Sequence, residues 1–148
     1  MNDIDPIGPM FVSIWGAMYA VFSTLIEIYS DIEIIELCIE GLINSIKICG
    51  HFSMITERDE FVSSLSKFTG LNAWKEIQVK NILCTKALLL LGQEDGNCLK
   101  ESWYYVLECV SKLNSFLTKG AGLKQDYEVF NLDERPRKSQ MQHERNQI

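Results

Sequence analysis

Apolar residues recur at helical intervals along most of this chain, and no stretch alternates with the two-residue period of a strand. The first segment, Met10 to Ile28, is the most apolar, and its only charge is Glu27. Pro9 fits a first helical turn, and a weakly polar line of Ser13, Gly16, Ser23 and Glu27 follows helical spacing. The length approaches that of a membrane span, but Asp3 and Asp5 precede it and no Lys or Arg occurs until Lys47. A buried core helix is the preferred reading over a span.

Ser30-Asp31-Ile32-Glu33 has the pattern of a capping box and opens a second helix. Glu33, Glu36, Glu40, Asn44 and Lys47 mark its polar face, which reads as solvated. Its apolar arc, from Ile34 and Ile35 through Leu37, Cys38, Ile39, Leu42, Ile43 and Ile46, is wide enough to need neighbours on both sides. Gly50 to Ser53 break the pattern. A third helix then starts with Thr56 as N-cap, buries Phe61, Leu65 and Phe68, and stops at Gly70. A fourth runs from Trp74 to Leu91, packing through Ile77, Leu83, Ala87, Leu88 and Leu91.

The stretch Asp95-Gly96-Asn97-Cys98-Leu99-Lys100-Glu101-Ser102-Trp103 organises the rest. Asp-Gly-Asn reads as a turn, with Gly92 and Gly96 offering left-handed positions and Asn97 capping a fifth helix that ends near Thr118. Leu99, Trp103, Val106, Leu107, Val110 and Leu113 form its apolar stripe, and Trp103 is read as a core residue. Ser102 and Leu99 complete this structural motif. The predicted fold is all-α: about five helices in antiparallel pairs, stacked as a HEAT- or armadillo-like solenoid fragment over residues 9–130. Residues 1–8 form a short acidic lead, and 131–148 a polar tail expected to be disordered.

The string DGNCLKESWYYVLECVSKL resembles a segment of the large brefeldin-A-inhibited Arf guanine nucleotide exchange factors of the trans-Golgi. Two upstream blocks resemble the same family in the same order: MFVSIWGAMYAVFSTLI, and IELCIEGLINSIKI followed by ERDEFVSSLSKFT. The resemblance covers about Ile7 to Tyr127 and places the chain in the helical region downstream of the family's catalytic exchange domain. Nothing in these 148 residues resembles that domain or its glutamate finger. The resemblance implies a non-catalytic regulatory segment in vesicle-mediated transport, cytoplasmic and peripheral at Golgi membranes. Its implied partners are an Arf-type small GTPase or the exchange domain, with membrane association only through partners. Two other classes stay in view: a stand-alone helical adaptor or degraded paralogue, and an integral membrane protein anchored by Met10 to Ile28.

Composition narrows the chemistry. Residues 1–118 hold fifteen acids and eight bases, an acidic body without the basic stripe that nucleic acid or an anionic membrane surface requires. The five cysteines are odd in number, never at C-x-x-C spacing, and lie in apolar runs, which fits free thiols in a reducing compartment. Cys49-x-His51 with Cys38 upstream falls short of the four ligands a zinc site needs, and the other histidine, His143, sits in the tail. Gly92 to Gly96 lacks the lysine of a phosphate loop, and no pair of opposed carboxylates stands out. No catalytic residue, cofactor or metal is expected.

What remains is surface. Glu57, Arg58 and Asp59 resemble the family's E-R-D at a helix start, although a cap with a local ion pair is the preferred reading. Lys80 and Asn81 resemble its Lys-Asn pair; either Asn81 hydrogen-bonds a neighbouring loop or both present a polar docking face. The expected partner-binding residues are therefore Lys80, Asn81, Asp95, Gly96, Asn97, Arg58 and Asp59.

Overall fold

The computed structural model describes residues 6–72 and 76–132, with side chains as far as Lys119. The described residues form α1 (Ile7–Ile28), α2 (Ile32–His51), α3 (Ile55–Phe68), α4 (Val79–Leu99), a single 3-10 turn (Lys100–Ser102) and α5 (Trp103–Leu132). The chain divides into two compact units after Lys112, and the core described next belongs to the first.

Two hairpins make that core. In the first, a Cβ on Gly8 of α1 would meet Phe52 at 3.3 Å, and one on Gly41 of α2 would meet Phe22 of α1 at 2.5 Å, so α1 and α2 run antiparallel. In the second, Asn81 bonds the Phe68 carbonyl while Arg58 reaches Ser102, so α3 and α4 are antiparallel as well. The hairpins stack with α2 parallel to α4. Lys47 pairs with Asp95, and the Cα of Gly50 lies against Cys98, forty-eight positions on in each case. That interval is close to the repeat lengths of helical solenoids, about 40–47 residues for HEAT and armadillo repeats, although no repeat is visible in the residues themselves.

The centre is filled by side chains with no exposure: Ile26, Leu42, Ile46, Cys49, Phe61, Val62, Leu65, Cys84, Leu88 and Leu99. Phe61 of α3 is caged by Phe11, Trp15 and Tyr19 of α1, with ring centroids 5.8–6.4 Å apart in tilted and edge-on arrangements. The wide apolar arc of α2 does find several neighbours, since α2 packs on α1, α3 and α4.

Several boundaries and faces differ from the expectation. The cap of α2 is Asp31, one residue later than the Ser30 of the box, and it accepts from the amides of Glu33 at 2.9 Å and Ile34 at 3.5 Å. Thr56 lies inside α3, whose N-cap is Met54. The start proposed at Trp74 lies outside the described residues. Helix α4 opens at Val79, where Gln78 and Asn81 cap each other reciprocally. Helix α1 already begins at Ile7, and α5 continues past Thr118 to Leu132. The remainder of the tail, 133–148, lies outside the described residues.

The largest difference is α1. It was expected to be a buried core helix, yet only Phe11 and Ile26 are buried, and Ile7, Met10, Val12, Ile14, Val21 and Ile28 are exposed. It is long and apolar enough to cross a membrane by length and composition. Here it serves as the outer helix of a hairpin, with its ring-bearing face inward.

Candidate functional site

The corner between α4 and α5 gathers most of the residues singled out in the sequence. The chain departs from helical geometry at Asp95 (φ −126°, ψ 28°), resumes it, and turns sharply at Lys100 (φ 47°, ψ −119°). Gly96 is not left-handed; among glycines that conformation is taken by Gly70 (φ 69°). What Gly96 provides is room, because a Cβ there would lie 2.6 Å from the indole of Trp103. Asn97 therefore caps no helix: it sits, exposed, within the last turn of α4.

Trp103 is 37% exposed and lies over the corner as a cover, rather than within the core. Its Nε1 donates to the Gly96 carbonyl at 2.9 Å, and its ring also lies close to Gly92. The buried stripe of α5 is rotated accordingly. Leu99, Ser102, Val106 and Cys109 face inward, whereas Leu107 and Val110 face outward. An aromatic with a polar atom is satisfied at such a rim, where the ring packs and the N–H reaches a carbonyl.

Beneath the corner lies a charged cluster. Arg58 of α3 is 2% exposed, and its guanidinium Nε donates to Asp59 at 3.1 Å and to Ser102 Oγ at 3.2 Å. Its Nη2 donates to Asp59 at 2.9 Å and to Glu101 at 3.0 Å, and Ser102 Oγ donates to Asp59. The planar fork of arginine is what allows one side chain to tie α3 to the 3-10 turn at several points. The Glu101 carboxyl is held below its ordinary value by a hydrogen bond to its own backbone and then by Arg58. Lys47 of α2 completes the frame by pairing with Asp95 at 2.8 Å, and Asp95 raises the lysine's pKa.

Lys80 and Asn81 stand apart from this cluster, at the start of α4. Lys80 Nζ donates to the carbonyls of Ile26 and Glu27 at 3.1 and 3.0 Å, satisfying the open C-terminal end of α1. Asn81 accepts from the Gln78 amide at 2.9 Å and donates to the Phe68 carbonyl at 2.8 Å. A recess of about 250 Å³ opens beside them, lined by Ser30, Ile35, Gln78, Val79 and Lys80. The seven expected contact residues thus fall in two groups, one at each end of α4. Most already have partners within the fold.

Four of the five thiols are buried and held protonated. Burial pushes Cys49 and Cys84 up to about 12 and raises Cys38 and Cys109 as well. Cys49 is fully buried while His51 is exposed with its ring against Phe52, so the two share no environment. Among the described residues no group of three potential metal ligands converges.

The corner string is part of a longer match to known proteins. Brefeldin A-inhibited guanine nucleotide-exchange protein 2 of Arabidopsis thaliana is 37% identical over 129 residues, 87% of this chain. Protein 3 of the same plant is 38% identical over 116 residues, 78% of the chain. The human brefeldin A-inhibited guanine nucleotide-exchange protein 1 is 35% identical over 127 residues, 84% of the chain. The chain belongs to this family. It spans about 7% of the length of these family members. No family model matches the chain and no solved structure does. The match therefore runs through both helix hairpins and the corner of this chain.

Proposed function

We propose that this chain is a non-catalytic interaction segment of the exchange-factor type, acting in vesicle-mediated transport at Golgi membranes. It works by binding, either to an Arf-type small GTPase or back onto the family's exchange domain, and it meets the membrane only through those partners. The observation that supports this most is the span of the match: 87% of the chain aligns with 7% of a relative named as a guanine nucleotide-exchange protein. What the two share is a helical module, and a module of packed hairpins offers surface.

The carboxylates at the corner favour a structural rather than catalytic use. Asp59 and Glu101 are tied to Arg58 and Asp95 to Lys47, so none of them stands free to be aimed at a nucleotide. The contact surface we assign is the Asp95–Asn97 turn with the exposed edge of Trp103, and Lys80 and Asn81 at the far end of α4. Arg58 and Asp59 contribute from below by holding the turn in place. A contact of this size is weak, since few side chains are buried at its centre. Release of a fluorescent nucleotide from Arf tests the first half. The chain alone leaves the spontaneous rate unchanged, and acceleration by it would contradict the proposal.

A further inference from the structure

Three hydroxyls in this chain have a carboxylate side chain three residues downstream: Thr24 before Glu27, Ser30 before Glu33 and Thr56 before Asp59. The fold separates them. Thr24 lies inside α1, and Thr56 lies in the first turn of α3 with its Asp59 already tied to Arg58. Ser30 is exposed in the link between α1 and α2. The backbone there is extended on both sides of it, at Tyr29 (φ −91°, ψ 153°) and at Asp31 (φ −70°, ψ 122°).

The Ser30 hydroxyl is left over by the fold. Asp31, not Ser30, caps the amides of Glu33 and Ile34, and among the described residues no hydrogen bond engages the Ser30 side chain. Ile28, Tyr29 and Ile32 around it are all exposed, so the link and the adjoining helix ends open with little loss of buried apolar surface. The segment from Glu27 to Glu36 holds Glu27, Asp31, Glu33 and Glu36 and no Lys or Arg, so a groove that takes it is basic. From α4, Lys80 Nζ reaches the Glu27 carbonyl, three residues before Ser30, at 3.0 Å. Ser30 and Lys80 line the same recess of about 250 Å³.

We infer that Ser30 is a phosphoacceptor for an acid-directed serine kinase, and that Lys80 is the side chain that receives the phosphate. In-line attack needs the hydroxyl clear of its own helix, and of the three candidates only Ser30 meets that without unwinding. Ser30 Oγ bonds to the γ-phosphorus of ATP as the bond from that phosphorus to the β,γ-bridging oxygen breaks. ADP leaves, and the hydroxyl proton passes to the kinase's catalytic carboxylate. The product carries a charge of about −1.5 to −2. It stands just before the first turn of α2, where the helix dipole favours an anion. It also stands beside the Lys80 ammonium, which has a third N–H besides the two that serve the carbonyls of Ile26 and Glu27. This inference goes beyond the binding role proposed above and does not depend on it.

The test incubates the full 148-residue chain with casein kinase 2 and magnesium ATP and maps the phosphate by mass spectrometry. One phosphate is expected, on Ser30, and Ser30→Ala should lose it while keeping the melting temperature of the parent chain. Glu33→Gln should slow labelling about fivefold, the worth of one close charge pair in water. Phosphorylation should lower the melting temperature of Lys80→Met by roughly 2–4 °C more than that of the parent, as loss of one charge-assisted contact does in a chain of this size. Each chain is compared with its own unphosphorylated form, so the loss of Lys80's bonds to α1 cancels. Should Ser30→Ala unfold, the mapped site in the parent chain decides alone. No labelling, or labelling at Thr24, Thr56 or another hydroxyl in place of Ser30, overturns the assignment. So does a Glu33→Gln chain labelled at the parent rate. Equal shifts in Lys80→Met and the parent overturn the role given to Lys80.

Discussion

Trp103 and Gly96 are locked together twice: the indole Nε1 donates to the glycine carbonyl at 2.9 Å, and the ring fills the space a Cβ would occupy. Gly96→Ala should therefore destabilise the chain by about 1–2 kcal/mol, although alanine is the better helix former by about 1 kcal/mol. Denaturant unfolding of the two proteins measures this. An unchanged or raised midpoint would show that the indole moves aside without cost.

Trp103→Ala should cost about 2 kcal/mol, short of the 3–5 kcal/mol typical for an aromatic removed from a core, because the ring is 37% exposed. A loss above 4 kcal/mol would restore Trp103 to the interior.

The two acids on Arg58 should differ. Asp59→Ala leaves a guanidinium that is 2% exposed with its main ion pair gone and should cost about 2–4 kcal/mol. Glu101→Ala removes a carboxylate at the surface and should cost clearly less. Because the Glu101 pKa is lowered on folding, its contribution is present above the ordinary carboxylate value and is lost as pH falls through the lowered one. Equal losses for the two variants would mean that the cluster is not organised around a buried arginine.

At the corner, helices were legible because capping residues and apolar periods are local signals. The rotation of α5 was only half legible: the predicted stripe of Leu99, Trp103, Val106, Leu107, Val110 and Leu113 shares Leu99 and Val106 with the buried one, in which Ser102 and Cys109 take the places of Trp103, Leu107 and Val110. What chooses between them is Arg58, forty-four positions upstream, which draws Ser102 inward. The role of Lys80 was hidden for the same reason, whereas a hydrogen bond to a neighbouring segment was one of the two readings of Asn81. Each bonds carbonyls at the end of another helix, and no spacing within α4 reveals that. The expectation that Gly96 is left-handed failed because the sequence shows a glycine but not which of its two uses, conformation or clearance, is required.

Lys100 carries a backbone strain that glycine would relieve. Its φ of 47° with ψ of −119° is a conformation open mainly to glycine. Lys100→Gly should stabilise the chain by about 0.5–1 kcal/mol, net of the entropy glycine adds to the unfolded state. A lower melting temperature for this variant would place the turn elsewhere.

The buried thiols predict an alkaline limit. Cys49 and Cys84 keep their protons to about 12 in the folded chain, whereas unfolded thiols lose theirs near 9. The stability they confer is complete below pH 9 and is lost as pH rises toward 12, at a slope of up to about 1.4 kcal/mol per pH unit for each thiol. Stability curves at pH 8 and pH 10.5 read the effect, and Cys84→Ala should flatten it. A variant with the same slope as the parent would show that the thiol is not held neutral by burial.

Binding is the central claim, and a pull-down of the full 148-residue chain on immobilised partners tests it most directly. The partners are GTP-loaded Arf, GDP-loaded Arf and a family exchange domain. The account predicts retention on GTP-loaded Arf over GDP-loaded Arf, or on the exchange domain. It also predicts that Asn97→Ala and Lys80→Ala together weaken that retention while the chain stays folded. Equal and negligible retention on all three would contradict it.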